Sequence, residues 1–291
     1  MSDSLAQKII DEMNVNPTID PADEINHRVT FIKHQLKSSG LKILVLGISG
    51  GVDSSVCGRL CQLAVESLRK ETTLDYKFIA VRLPYSIQKD EEDAQKALSF
   101  IEPDEILTIN IKESVNGVHQ NVLKQLKVNN IELPNSSHVD FVKGNTKARI
   151  RMTTQFEIAG LLGGLVPGTD HSAENVMGFY TKYGDGACDF APLFGLNKRQ
   201  IQAIGKRLGA APELFKKEPT ADLEDLKPLL SDEDALGVTY NQIDDFLEGK
   251  KVSEEVQEKI VSAYLKTQHK RIAIPTPPLF EFNAEELFSL E

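Results

Sequence analysis

The chain is poor in cysteine, carries fewer basic than acidic side chains, and has no long apolar run. Its cysteines, Cys57, Cys61 and Cys188, are odd in number and scattered over 291 residues, so no disulfide framework is implied. Cys57 and Cys61 share a helical face at i, i+4 and read as core packing rather than a metal pair. The 33 Lys and Arg against 43 Asp and Glu leave a formal charge of −10. A long nucleic-acid footprint needs a basic surface to displace counterions, so that class of partner is not expected. No stretch approaches the roughly 20 apolar residues that span a bilayer. The opening MSDSLAQKIIDEMNV is acidic and amphipathic, without the basic start and apolar run of a signal peptide. The expectation is a soluble protein of the cytoplasm.

What is present is ordinary for a globular protein, with 41% hydrophobic and 26% charged residues. Helices are expected near the start and over 25–36. Lys42–Ile48 (KILVLGI), Phe78–Leu83 (FIAVRL) and Ile106–Ile111 (ILTINI) read as strands, being short, β-branched and mostly apolar. Helices are expected between them, over 53–68, 90–100 and from Glu113. That alternation indicates βαβ units and an α/β fold, a doubly wound parallel sheet flanked by helices. After a polar connection around 133–141 a helix is expected over 146–162. A short fourth strand follows at 165–167, with further helices over 197–208 and 254–268. Lys216–Asp225, charged and broken by Pro219, reads as a mobile surface segment. With no repeat, low-complexity tract or linker, residues 1–291 read as a single domain.

The strongest motif is Gly47-Ile48-Ser49-Gly50-Gly51-Val52-Asp53-Ser54-Ser55, set between a strand and a helix. Glycines allow a tight turn and close approach of a ligand. The helix start offers unpaired N–H groups and the positive end of a dipole, which suits phosphate. The lysine of a Walker A loop is missing. A carboxylate facing polyphosphate, Asp53, therefore implies an intervening divalent cation. The blander role of Asp53 and Ser54 is to cap the helix.

Ser49-Gly50-Gly51-Val52-Asp53-Ser54 resembles the SGGxDS pyrophosphate loop of the N-type ATP pyrophosphatases, of adenine nucleotide alpha hydrolase-like fold. Later segments narrow the likeness: Lys143–Arg149 (KGNTKAR), Gly168–Glu174 (GTDHSAE), Thr181–Gly186 (TKYGDG), Leu196–Gln200 (LNKRQ), Pro219–Leu223 (PTADL) and His269-Lys270-Arg271. In this order and spacing they resemble ammonia-dependent NAD synthetases over about residues 5–272, with a core over about 20–272. The tail over 273–291 departs from the family pattern. The resemblance implies a ligase for the last step of NAD biosynthesis, with ATP as co-substrate and Mg²⁺ as cofactor. It implies that 47–54, Arg82, Gln88, Thr169, Lys198 and Thr220 contact ATP, and that Asp53 and Glu174 hold Mg²⁺. Arg149, Lys182, Asp189, His269 and Lys270 would bind deamido-NAD. Asp185, in a glycine loop, is the candidate to take a proton from the attacking nitrogen. Taken singly, Glu174 could be a solvated helix residue, Lys198 a surface lysine, His269 a helix-end dipole partner and Asp185 a turn former.

Other readings fit less well. A tRNA thiolase would carry reactive cysteines and a basic surface. Glutamine-dependent asparagine synthetases begin with a catalytic cysteine where this chain has Ser2, and GMP synthetase needs a further glutaminase domain. A nucleotide sensor has no use for a second dinucleotide site. A homodimer is expected from the apolar face of the 146–162 helix, on which Ala148, Met152, Phe156 and Ala159 align.

Overall fold

The computed structural model describes residues 2–86, 91–216 and 231–277. Four strands, β1 (Ile43–Gly47), β2 (Lys77–Arg82), β3 (Glu105–Thr108) and β4 (Gly164–Leu165), form one parallel sheet in the order β3-β2-β1-β4. The period-two alternation of β1 and β2 sends side chains to two cores. Leu44, Leu46, Phe78 and Ala80 face one cluster, while Val45, Ile79 and Val81 face another.

The first face is covered by α2 (Pro21–Ser39), α3 (Val52–Glu71), α4 (Glu91–Ile101) and α8 (Lys198–Arg207). Cys57 and Cys61 lie fully buried there, as core residues. The second face is covered by α5 (Lys112–Val128) and α6 (Ser136–Leu162), through Val115, Ile158 and Ala159. A third cluster joins α1 (Ser2–Met13), α7 (Ser172–Met177), α11 (Tyr240–Leu247) and α12 (Glu254–Thr267). Of the short helices, α9 (Glu213–Lys216) packs on the first core through Leu214 and α10 (Asp232–Leu236) on the third cluster through Leu236, and a 3-10 turn, Gln268–Lys270, follows α12.

Three expectations need correction. α6 starts at Ser136, ten residues before Thr146, and Asn135 caps it by accepting from His138 N at 2.9 Å. The polar stretch around 133–141 reads as a connection, but from Ser136 onward it belongs to a 27-residue helix, whose interior Gly144 costs only about 1 kcal/mol. β3 is an edge strand with Ile106 half exposed, and it ends at Thr108 rather than at Ile111. The chain continues pairing beyond it, Ile109 N donating to Arg82 O at 2.9 Å and Ile111 N to Pro84 O at 3.0 Å. The third correction concerns the face of α6. Ala148 and Ala159 are buried, and Phe156 packs against the sheet-facing core beside Ile158 and Ala159. The large apolar side chains left exposed on α6 are Leu161 and Leu162, which were expected beside that face, and Phe141 and Val142 near its start. Residues 217–225 of the charged segment lie outside the described residues.

The chain leaves β1 toward β2 on one side, and β4 lies on the other. A crevice opens at such a reversal, beyond the carboxyl ends of the central strands. The loop after β1 and the Thr169–His171 segment after β4 both arrive there.

Candidate active site

The loop after β1 is tied to itself. Ser49 N donates to Ser54 Oγ at 3.3 Å, Gly51 N to Ser49 Oγ at 3.2 Å, and Ser55 Oγ to Gly51 O at 2.7 Å. Ile48 N extends the sheet by donating to Val81 O at 2.8 Å. Gly50 sits at φ 85°, and a Cβ there would come within 3.1 Å of the Ala94 backbone nitrogen. Only glycine meets both conditions. Gly51 is the N-cap of α3 and supplies no side-chain cap. Neither Asp53 nor Ser54 caps the helix, so the Val52 N–H at its start remains open to an anion. Gly47 N donates to Gln155 Oε1 at 2.5 Å, tying α6 to the loop. Arg82 is buried at the end of β2, one residue past the register partner of Gly47.

Asp53, in the first turn of α3, meets Lys198, the first residue of α8. Lys198 Nζ lies 2.7 Å from Asp53 Oδ2. His171 Nε2 is 3.5 Å from Asp53 Oδ1 and 3.6 Å from Glu174 Oε1. One donor atom from each of Asp53, His171 and Glu174 falls within 4.8 Å of the others. Glu174 N donates to His171 Nδ1 at 3.4 Å, so neutral His171 carries its proton on Nε2, directed at the two carboxylates. The imidazole N–H thus faces Asp53 and Glu174 without a hydrogen bond to either, and the ligand atoms available to a cation are carboxylate oxygens. Asp53 Oδ1 is buried and has no hydrogen-bond partner. Two carboxylates with an unpartnered buried oxygen fit a hard divalent cation.

The electrostatics agree. Burial pushes the His171 pKa down to about 3, against the pull of Asp53. Burial also works against charge on Asp53, but Lys198 and His171 outweigh it and its pKa falls. Glu174, buried beside the Asp53 charge, is pushed well above the usual carboxylate range. Lys198, desolvated yet facing Asp53 and Glu174, is raised. Asp170, buried beside them, is pushed to about 7.

A second cluster lies at the end of α12. Arg149 Nε and Nη2 both donate to Lys182 O at 3.3 Å, and Lys182 Nζ donates to His269 O at 2.6 Å. Lys270 Nζ donates to Gly178 O at 2.7 Å and Tyr180 O at 2.6 Å. Arg149, Lys182, His269 and Lys270 therefore meet around the loop that carries Asp185. That loop is pinned to α6 by Thr181 Oγ1, which donates to Asn145 Oδ1 at 2.8 Å. The Asp185 carboxylate accepts from Thr181 N at 3.0 Å, and desolvation raises its pKa. Asp189 accepts from Val166 N at 2.7 Å, holding the backbone just after β4. Thr169 follows β4, its neighbour Gly168 accepting from Cys57 Sγ at 3.7 Å. Gln88 and Thr220 lie outside the described residues.

Several residues of this site are not singled out by the sequence reading. His171, Asp170 and Gln155 stand beside expected residues, but nothing in their spacing announces a role. Tyr240 and Asp244 come from a helix whose pattern shows only an amphipathic surface.

The NAD synthase family model matches residues 24–274. The NH(3)-dependent NAD(+) synthetase of Psychromonas ingrahamii is 60% identical over 273 residues, 94% of this chain and 99% of that one. The NAD+ synthetase structure from Burkholderia pseudomallei superposes with a TM-score of 0.79 at 44% identity, covering 94% of this chain and 98% of the other. The NMN synthetase structure from Francisella tularensis superposes with a TM-score of 0.75 at 31% identity, covering 90% and 100%. By family model, sequence identity and fold, this chain belongs to the NAD synthase family.

Proposed function

We propose that the chain amidates deamido-NAD with ammonia at the expense of ATP, giving NAD, AMP and pyrophosphate. The observation that carries this reading is the uncapped start of α3, with Asp53 and Glu174 converging beside it. The N–H groups of that turn receive phosphate oxygens, with Lys198 as an added point charge and Thr169 and Arg82 beside them. Asp53 and Glu174 hold Mg²⁺. The ion, when bound, neutralises charge on the pyrophosphate leaving group. Arg149, Lys182, Asp189, His269 and Lys270 bind the dinucleotide. Its nicotinate carboxylate attacks the α-phosphorus and pyrophosphate leaves, forming an acyl-adenylate. Ammonia attacks the acyl carbon and AMP leaves, with Asp185 accepting the proton lost by nitrogen. The raised pKa of Asp185 makes it a better base than an ordinary carboxylate. The same reading takes the chain as one catalytic domain acting in the cytoplasm.

The assembly proposed is a homodimer. Val118, Val122, Phe141 and Leu161 are 48%, 52%, 51% and 75% exposed along α5 and α6. Apolar side chains exposed along two paired helices suit a second copy of the same helices. Arg149, on the same α6, would bring the dinucleotide site close to that boundary.

The test is product analysis with purified protein. With Mg²⁺, ATP, deamido-NAD and ammonium, equimolar NAD, AMP and pyrophosphate are expected. A faster reaction with the corresponding mononucleotide acid would favour the activity named for the Francisella relative. Formation of ADP and orthophosphate would reject the proposal.

A further inference from the structure

Lys198 is held from two directions by one helix. Tyr240 and Asp244 lie one turn apart on α11 and face the start of α8. The Asp244 carboxylate is 1% exposed and accepts from Lys198 N at 3.1 Å and Arg199 N at 2.9 Å. It satisfies N–H groups that α8 cannot pair internally, alongside the capping box of Asn197 and Gln200. One turn earlier, the Tyr240 ring lies under the lysine head, with Nζ 4.7 Å from its centroid. The ring is fixed in turn, its hydroxyl donating to Asp232 at 3.2 Å and its centroid 6.2 Å from that of the tilted His171 ring. The backbone and the ammonium of Lys198 are thus both located by α11, while Nζ reaches Asp53 at 2.7 Å.

A lysine side chain has much rotamer freedom to lose on being ordered, so a residue that pre-orders it raises ligand affinity. An aromatic ring suits this task better than another acid. It attracts the ammonium through its quadrupole and leaves the three N–H donors free to pass from carboxylate to phosphate oxygen. A second carboxylate at that place would compete with the phosphate.

We propose that Tyr240 and Asp244 are positioning residues that hold Lys198 toward the phosphates of ATP, Asp244 fixing the start of α8 and the Tyr240 ring fixing the ammonium. The proposal rests on the reading that Lys198 contacts ATP. Neither residue needs to touch a substrate, and the effect of each passes through Lys198.

The experiment is a mutant cycle on the full chain, with KM for ATP, KM for deamido-NAD and kcat measured for each variant. Tyr240→Leu should raise KM for ATP about tenfold and leave KM for deamido-NAD within about twofold. Tyr240→Phe keeps the ring and should bring KM for ATP back to within about threefold of the native value. In a Lys198→Ala background, adding Tyr240→Leu should change KM for ATP by less than about twofold, because the group it positions is gone. If Tyr240→Leu does not fold, Asp244→Asn takes its place in the same cycle, with a rise of about fivefold expected in KM for ATP alone. An equal rise in both KM values would overturn the proposal, as would an effect that persists undiminished without Lys198. Native KM for ATP in Lys198→Ala would reject the ATP-binding role of Lys198, and the proposal with it. The two failures are thereby told apart.

Discussion

Asp53 and Lys198 are 145 residues apart in the chain and 2.7 Å apart in the fold, the carboxylate on the first turn of α3 and the ammonium on the first residue of α8. Two helix starts are aimed at one another across the crevice beyond β1. The same carboxylate faces His171, and with Glu174 it completes a cluster that suits a divalent cation.

Asp53→Asn and Glu174→Gln keep shape while removing an anionic ligand. Each should lower kcat/KM at fixed Mg²⁺ by at least about a hundredfold, a barrier change of about 3 kcal/mol. Calorimetric titration with Mg²⁺ and an ATP analogue should show weakened metal binding in both. Native turnover and metal affinity in either variant would contradict the assignment.

His171 links the site to stability. Its pKa is near 6.5 in the unfolded chain and about 3 in the fold. Between those values the unfolded state binds a proton that the folded state refuses, so stability is complete above about pH 6.5 and falls below it. The slope approaches about 1.4 kcal/mol per pH unit. His171→Gln cannot titrate, so its unfolding free energy should fall less steeply between pH 7 and pH 5.5, by about 1 kcal/mol. Chemical denaturation at both pH values measures this, and parallel slopes would contradict it.

Asp185 and the loop start act on different steps. Asp185→Asn should retain a burst of pyrophosphate in the first turnover while slowing NAD formation about a hundredfold, the usual scale of general base catalysis. Rapid-quench analysis of both products decides it. Equal loss of both would move Asp185 to the adenylation step.

The exposed surface of α5 and α6 predicts the assembly. Val122→Glu and Leu161→Glu place charge on side chains that are 52% and 75% exposed, so neither should disturb the folded chain. Sedimentation should show a dimer for the native protein and a monomer for the pair of changes. A native monomer at micromolar concentration with full activity would contradict the dimer.

The sheet and the loop after β1 were legible because both are local signals. Apolar β-branched runs mark β1 and β2, and the glycine string between β1 and α3 has few other uses. The first ten residues of α6 are not legible, because a polar stretch reads as a connection and its helix is fixed by the Asn135 cap and the Asn145 contact to Thr181. The site was legible as a set of residues but not as a geometry. Nothing in the sequence shows that His171 Nε2 faces both carboxylates, because that orientation depends on the Nδ1 contact made by the turn of α7. Tyr240 and Asp244 were illegible for a like reason. Their partners lie on α8, more than forty residues earlier. Phe156 was read onto the wrong surface because an apolar stripe on a helix does not say which of two partners covers it.

The most direct test of the account is the fate of a labelled carboxylate oxygen. Deamido-NAD carrying oxygen-18 in its nicotinate carboxylate would be turned over with Mg²⁺, ATP and ammonium, and the products examined by mass spectrometry. If the carboxylate attacks the α-phosphorus beside Asp53 and Lys198, one labelled oxygen must leave with AMP and none with pyrophosphate. Unlabelled AMP, or label in orthophosphate, would contradict it.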